Sequence, residues 1–283
     1  MLSATLIRTT QLPSGEAVPI LGQGTWGLAE GKHERDQEIR ALRLGLELGM
    51  SLIDTAEMYA DGETEKLVGD AINGHRDEVF LVSKVLPQNA SRTATVAACE
   101  HSLRRLRTPW LDLYLLHWRG SIPLRETVEG FETLLQVGKI RYWGVSNFDG
   151  DDMEELVDLP HGTHVATDQV LYNLARRGIE YDLMPWCRNR KIPIMAYSPV
   201  EQGRLLKNRE LQRIAHRLDA KPAQVALAWM LRQAGIIAIP RAGTPEHVRE
   251  DCASLELHLM EEDLKALDRA FPPPSQKQPL EML

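Results

Sequence analysis

Asp54, Tyr59, Lys84 and His117 are the residues of this chain whose types can carry chemistry together. A phenol with a pKa of about 10 is a poor proton donor to a carbonyl oxygen and does not readily recover its proton near neutrality. An ammonium beside it favours the ionised form, and a carboxylate behind the ammonium keeps that cation charged and in place. Lowering the phenol by roughly two to three units takes about 3 to 4 kcal/mol, which a partly desolvated charge pair can supply. An imidazole at His117 would orient the substrate carbonyl by a hydrogen bond. Taken singly, each residue has a plain reading as a loop cap, a solvated cation or a packed ring. A metal centre built on His117 and Asp54 is the chemical rival. The sequence shows no H-x-H pair and no second histidine at a strand end, so no metal is expected.

Such a set works only if the fold brings it together. Asp54 ends the apolar run Leu52-Ile53, Lys84 ends Val79–Ser83, His117 ends Leu111–Leu116, and Tyr59 follows Asp54 by five residues. Eight such runs are expected as strands: Pro19–Gly22, Ser51–Asp54, Val79–Lys84, Leu111–His117, Tyr142–Ser146, Val165–Gln169, Ile194–Ser198 and Ile236–Pro240. Between them lie amphipathic stretches. Ile39, Leu42 and Leu46 recur at helical spacing before Gly49, as do Leu67, Val68, Ala71 and Ile72 before Gly74. Eight alternating βα units predict an α/β fold, a (β/α)8 TIM barrel, in which the carboxyl ends of all strands converge on one mouth. The last step is the longest and leaves room for an extra helix. No Gly/Ser-rich or Pro-rich linker divides the chain, so residues 1–283 are expected to form one domain. Leu6–Gln11, a Pro13–Glu16 turn and Ala17–Ile20 read as an N-terminal hairpin capping the bottom face. Phe271-Pro272-Pro273-Pro274 stops the last helix, and the tail is expected to wrap the surface or rim the pocket.

Thirty-three Lys and Arg against 40 Asp and Glu give a net charge of −7, which disfavours nucleic acid and anionic membranes as partners. No run is long and apolar enough to cross a bilayer, and Met1–Thr10 lacks the features of a secretory signal, so a cytoplasmic location is expected. Cys99, Cys187 and Cys252 have no C-x-x-C spacing and read as buried, inert thiols. Gly22-Gln23-Gly24-Thr25-Trp26-Gly27 spells G-x-G-x-x-G, but no helical stripe follows and the acidic position falls inside a helix. It reads as a loop at the barrel mouth, with Gly24, Thr25 and Trp26 facing a ligand.

The segments Leu52–Tyr59, Val82-Ser83-Lys84, Leu113–Trp118, Gly144–Phe148, Tyr197-Ser198-Pro199 and Ile239-Pro240-Arg241 resemble, in order, the signature blocks of the aldo-keto reductases. The resemblance covers nearly the whole chain and is nearest to bacterial methylglyoxal and 2,5-diketogluconate reductases. It implies NADPH-dependent reduction of aldehydes or ketones, with Tyr59 as proton donor and Asp54, Lys84 and His117 completing a tetrad. Trp26 and Trp118 would line the carbonyl pocket with Tyr59 and His117.

For the cofactor, the resemblance implies that Ser146, Asn147 and Gln169 hold the nicotinamide carboxamide while the Tyr197 ring stacks on its face. The short stretch Pro199–Leu206, with Ser198, Gly203, Arg204 and Leu205, would meet the pyrophosphate. Ile239, Pro240, Arg241, Ala242, Thr244, His247, Glu250 and Asp251 would surround the adenosine 2′-phosphate end. Arg241 stands where the family usually has Lys, Ala242 where a hydroxyl is usual, and His247 where an Arg is usual. These departures imply a preference for NADPH weaker than the family norm, with NADH tolerated. The small-molecule carbonyl is the expected partner and a monomer the expected state. A non-catalytic cofactor-binding regulatory module of the same fold is the rival from another class.

Overall fold

The computed structural model describes residues 7–283. Leu6, the first residue of the expected hairpin arm, and most of the Met1–Thr10 segment lie outside the described residues. The chain opens with an antiparallel hairpin, β1 (Thr9–Gln11) and β2 (Ala17–Pro19), with Thr9 opposite Pro19. Eight parallel strands follow: β3 (Gln23–Gly24), β4 (Leu52–Asp54), β5 (Phe80–Val85), β6 (Leu111–Leu116), β7 (Ile140–Ser146), β8 (Asp168–Leu171), β9 (Ile194–Tyr197) and β10 (Ile236–Ala238). They pair in sequence order, and the Gly22 amide donates to the Ala238 carbonyl, the Ala238 amide to Ile20, and the Gly24 amide to Pro240. Those bonds join the last strand to the first and close the cylinder, as the alternation predicts.

Strand one is displaced from its expected place at Pro19–Gly22. Pro19 belongs to the hairpin, so the first barrel strand forms only after the chain has left it, at Gln23–Gly24. The sixth expected strand, Val165–Gln169, is found as Asp168–Leu171, with Ala166 and Thr167 continuing its hydrogen bonds to β7. No helix opens at Gly27; the next begins at Arg35, which confirms the loop reading of the glycine motif.

Helices surround the strands: α1 (Arg35–Glu47), α2 (Glu63–Ala71), α3 (Arg92–Leu106), α4 (Leu124–Gln136), α5 (Gly150–Asp158), α6 (Leu183–Asn189), α7 (Arg209–Arg217), α8 (Pro222–Leu231), α9 (Pro245–Ala253) and α10 (Glu261–Ala270). α4 shows why they pack: Leu124, Val128, Phe131 and Leu134 recur on one buried face. The long last step holds two helices, α7 and α8. The three cysteines are buried and free, as expected.

Side chains from alternate strand positions fill the cylinder. Leu52, Phe80, Val82, Leu113, Leu115, Met195, Ile237 and Ile239 form one buried interior cluster, and Leu12 and Val18 of the hairpin join it. The hairpin thus plugs the N-terminal end. The Tyr142 hydroxyl donates to Glu16 at 2.6 Å and the Arg141 guanidinium pairs with the same carboxylate, which pins the plug to β7.

Candidate active site

The period of two that fills the barrel also builds the site. Leu52 points inward, so Asp54 does; Phe80 and Val82 point inward, so Lys84 does; Leu113 and Leu115 point inward, so His117 does. The apolar stack therefore gives way to polar side chains at the carboxyl ends of three adjacent strands. Tyr59 arrives from the loop after β4, in a single turn over Tyr59–Gly62 where Ala60 and Asp61 have φ of 47° and 52°. That left-handed pair turns the chain back toward the mouth before α2 begins.

The Lys84 ammonium, fully buried, donates to Asp54 Oδ2 at 2.7 Å, to the Thr55 carbonyl at 2.9 Å and to the Tyr59 hydroxyl at 3.1 Å. Its three N–H bonds are thus all placed. Asp54 Oδ1 accepts from Gln169 Nε2 at 2.8 Å, so the carboxylate is held from both sides. Burial pulls the Lys84 pKa down, but Asp54 and Tyr59 more than offset it and the net shift is upward. The ammonium stays charged.

The phenol departs from the expected lowering. Burial pushes the Tyr59 pKa up, Lys84 pulls it back only in part, and Asp54 adds to the rise, so the net direction is upward. The desolvation of a buried hydroxyl outweighs one neighbouring cation whose charge Asp54 has already compensated. His117 is held neutral: burial first, then the Lys84 charge, takes its pKa down to about 2. Its ring stands edge-on to Tyr59 at 5.8 Å and tilts over Trp118 at 4.9 Å, and its Nδ1 is buried without a partner.

Beside this group, the Ser146 hydroxyl donates to the Gln169 carbonyl at 2.7 Å, and Asn147 Nδ2 donates to the His117 carbonyl and to Ser146 Oγ, both at 3.0 Å. Tyr197 donates its hydroxyl to Asn147 Oδ1 at 2.9 Å. Ser146, Asn147, Gln169 and Tyr197 are therefore one connected cluster, built from the ends of β7 and β9 and from Gln169 within β8. Thr25 is buried and donates to the Asp54 carbonyl at 2.9 Å, whereas Trp26 is 52% exposed. Gly24 runs so close to the last strand that a Cβ would meet the Ile239 carbonyl at 2.6 Å.

Farther along the rim, Arg241 reaches the Gly27 carbonyl at 3.3 Å. Thr244 caps α9, its side chain accepting from the His247 amide at 3.3 Å, while Ala242 is buried and His247 exposed. Glu250 is paired with Lys221, and Asp251 is buried with Oδ2 unpartnered; burial, then Glu250, lifts its pKa to about 8. Ser198, Glu201, Gln202 and Gly203 all have positive φ, which folds the segment after β9 into a tight coil. Pro199 and Leu205 are buried there, and Arg204 is exposed and pairs with Glu201 at 3.1 Å.

Several partners were not read from the sequence. Glu201, 4% exposed, accepts from Asn173 at 2.8 Å and from Arg176 at 3.0 Å, and Arg176 also pairs with Glu281 of the tail. Lys32 stands beside Arg241 at Gly27: a Cβ there would lie 3.2 Å from the guanidinium and 3.5 Å from the ammonium. No local pattern marks these residues. The tail and the coil after β9 are brought together by tertiary contacts across scores of residues.

A closed eight-stranded cylinder with this lysine, phenol and carboxylate at its mouth defines a class, and residues 20–271 match the Aldo/keto reductase family model. The chain belongs to the aldo/keto reductase family and is an oxidoreductase. It is 52% identical over 278 residues to the methylglyoxal reductase YeaE of Escherichia coli (strain K12), covering 96% of this chain and 98% of that one. It is 33% identical to the glyoxal reductase of Bacillus subtilis (strain 168), covering 94% of each. Among solved structures, an aldo-keto reductase from Klebsiella pneumoniae in complex with NADPH superposes with a TM-score of 0.95 at 50% identity, over 99% of this chain and 100% of that one.

Proposed function

We propose that this chain, as one domain, reduces small aldehydes and ketones to alcohols with NADPH, and that 2-oxoaldehydes such as methylglyoxal are its substrates. The observation that carries the reading is the buried Lys84 ammonium, 3.1 Å from the Tyr59 hydroxyl and 2.7 Å from Asp54, at the barrel mouth. The residues fit the cofactor. A cluster of amide and hydroxyl groups at Ser146, Asn147 and Gln169 offers both donors and acceptors to a carboxamide. At the other end Arg241 and Lys32 crowd Gly27, and α9 presents its N-terminus through Thr244, a cationic setting suited to a phosphate.

Bound NADPH supplies the hydride. Tyr59 gives its hydroxyl proton to the carbonyl oxygen, and the phenolate that forms is stabilised by the Lys84 ammonium already in contact with it. The upward pKa of the resting phenol keeps the donor protonated but makes it a weaker acid, so proton transfer depends on the Lys84 contact that stabilises the phenolate. His117, neutral, offers an N–H to the same oxygen and adds no competing charge. Asp54 and Gln169 hold Lys84 in register. Trp26 and Trp118 form the apolar walls of the carbonyl pocket.

Replacing Tyr59 by Phe removes the donor without changing the ring. Turnover with methylglyoxal is expected to fall by about 10² to 10⁴, with NADPH affinity by fluorescence titration nearly unchanged. Retention of more than a few per cent of kcat would count against the role, and turnover in the wild type separates an enzyme from a regulatory module. The exposed His247 and the buried Ala242 provide few 2′-phosphate contacts, so NADPH is preferred over NADH only modestly. A KM for NADH equal to or below that for NADPH would refute this. Activity surviving exhaustive chelation excludes the metal-dependent rival. A monomer in the cytoplasm is the setting we propose.

A further inference from the structure

Away from the mouth, on the side where the strands begin, two imidazoles and a carboxylate converge. Glu132 lies in the last turns of α4, and between α5 and β8 His161 precedes and His164 ends the short turn Gly162–His164. Their ligand atoms all lie within 4.8 Å of one another. His164 Nδ1 is 3.0 Å from Glu132 Oε1 and His161 Nδ1 is 3.8 Å from Glu132 Oε2, with the two imidazole centroids 5.4 Å apart.

The turn is shaped to hold this arrangement. His161 has φ of 65°, a left-handed conformation that His adopts more readily than most residues. Gly162 follows where a Cβ would strike the Leu156 carbonyl at 1.8 Å, so the backbone that sets the two imidazoles side by side is fixed by close packing. The carboxylate is anchored from within: the indole of Trp143, 1% exposed on β7, donates to Glu132 Oε1 at 2.9 Å. Outer hydrogen bonds of this kind orient a ligand and are part of what makes a metal site. Both imidazoles are more than half exposed, so an ion can enter, and coordination positions remain for water.

We propose that Glu132, His161 and His164 bind a divalent d-block cation, with Zn(II) the best match to two imidazole nitrogens and one carboxylate oxygen. Two neutral nitrogens and one negative oxygen suit Zn(II) better than Mg(II) or Ca(II), which favour all-oxygen shells. The ion clips α4 to the turn that leads into β8, at the end of the barrel opposite the tetrad. Its effect is on the stability of that seam, not on hydride transfer.

Titrating Zn(II) chloride into the full-length, tag-free protein by calorimetry tests this. One equivalent is expected to bind, and His161→Asn and His164→Gln are each expected to weaken it by about tenfold or more, the loss that even an outer-shell change causes. Asn tolerates the left-handed backbone and both positions are exposed, so the variants keep the fold and their methylglyoxal turnover. Zn(II) raises the melting temperature of the wild type but not of the double variant, and Co(II) gives visible d–d bands only in the wild type. Absence of saturable binding up to millimolar Zn(II), or binding unaffected by either substitution, would overturn the proposal. So would binding lost in His75→Gln, which would place the ion on the His75–Glu78 pair instead.

Discussion

The ammonium of Lys84 is the hinge of the site because three partners depend on it at once. It is fully buried, and Asp54 beside it is 2% exposed, so neither charge is tolerable without the other. Lys84→Met leaves the Asp54 carboxylate buried and uncompensated, at a cost of about 3 to 5 kcal/mol. Adding Asp54→Asn to that variant removes the stranded charge and recovers most of the loss, which urea denaturation of the wild type and the two variants measures. Neither variant regains turnover, because the phenolate has lost its counterion. Equal stability of the single and double variants would show that the pair is not coupled as the 2.7 Å contact requires.

Among elements, the coil after β9 combines an irregular, positive-φ backbone with ionic anchoring. Glu201 ties Asn173, Arg176 and Arg204 together, and Arg176 carries the connection on to Glu281 of the tail. Burial alone would raise the Glu201 pKa, but the Arg176 and Asn173 hydrogen bonds outweigh it and the carboxyl is held below its ordinary value. Glu201→Ala leaves the Asn173 amide without its carboxylate and frees the positive-φ coil. A loss of about 1 to 3 kcal/mol follows, with earlier proteolytic cleavage between residues 198 and 207 as its local signature. An unchanged cleavage pattern would show that the coil holds itself.

For the whole molecule, Asp168 sets a pH dependence. Its carboxyl is fully buried on β8 with neither oxygen hydrogen-bonded, and burial pushes its pKa well above the carboxylate range, the nearby Phe148 amide offsetting only part. The folded protein therefore keeps a proton that the unfolded chain releases above a pH of about 4. Folding stability falls as pH rises through that window, at up to about 1.4 kcal/mol per pH unit, until the folded-state pKa is passed. Asp251, lifted to about 8, adds a slope of the same sign. Asp168→Asn, uncharged and of the same shape, is expected to flatten the dependence and to exceed the wild type in stability at pH 8, as denaturation midpoints at pH 5 and pH 8 will show. An unaltered slope would mean that the carboxyl is ionised in the folded state.

The amino-acid sequence by itself determined the eight-unit alternation, the hairpin plug and the placing of Asp54, Lys84 and His117 at strand ends. Strand periodicity is local, and a polar residue ending an apolar run must project from the end of a barrel strand. The start of strand one, the direction of the Tyr59 shift, the Glu201 anchorage and the approach of Lys32 to Arg241 were decided only by the tertiary structure. Each depends on competition among groups far apart in the chain: hairpin against barrel for Pro19, burial against one cation for the phenol, and the tail against the coil for Arg176. Spacing along a chain reports which side chains share a face. It does not report how dry their surroundings are, and desolvation is the larger energy at this site.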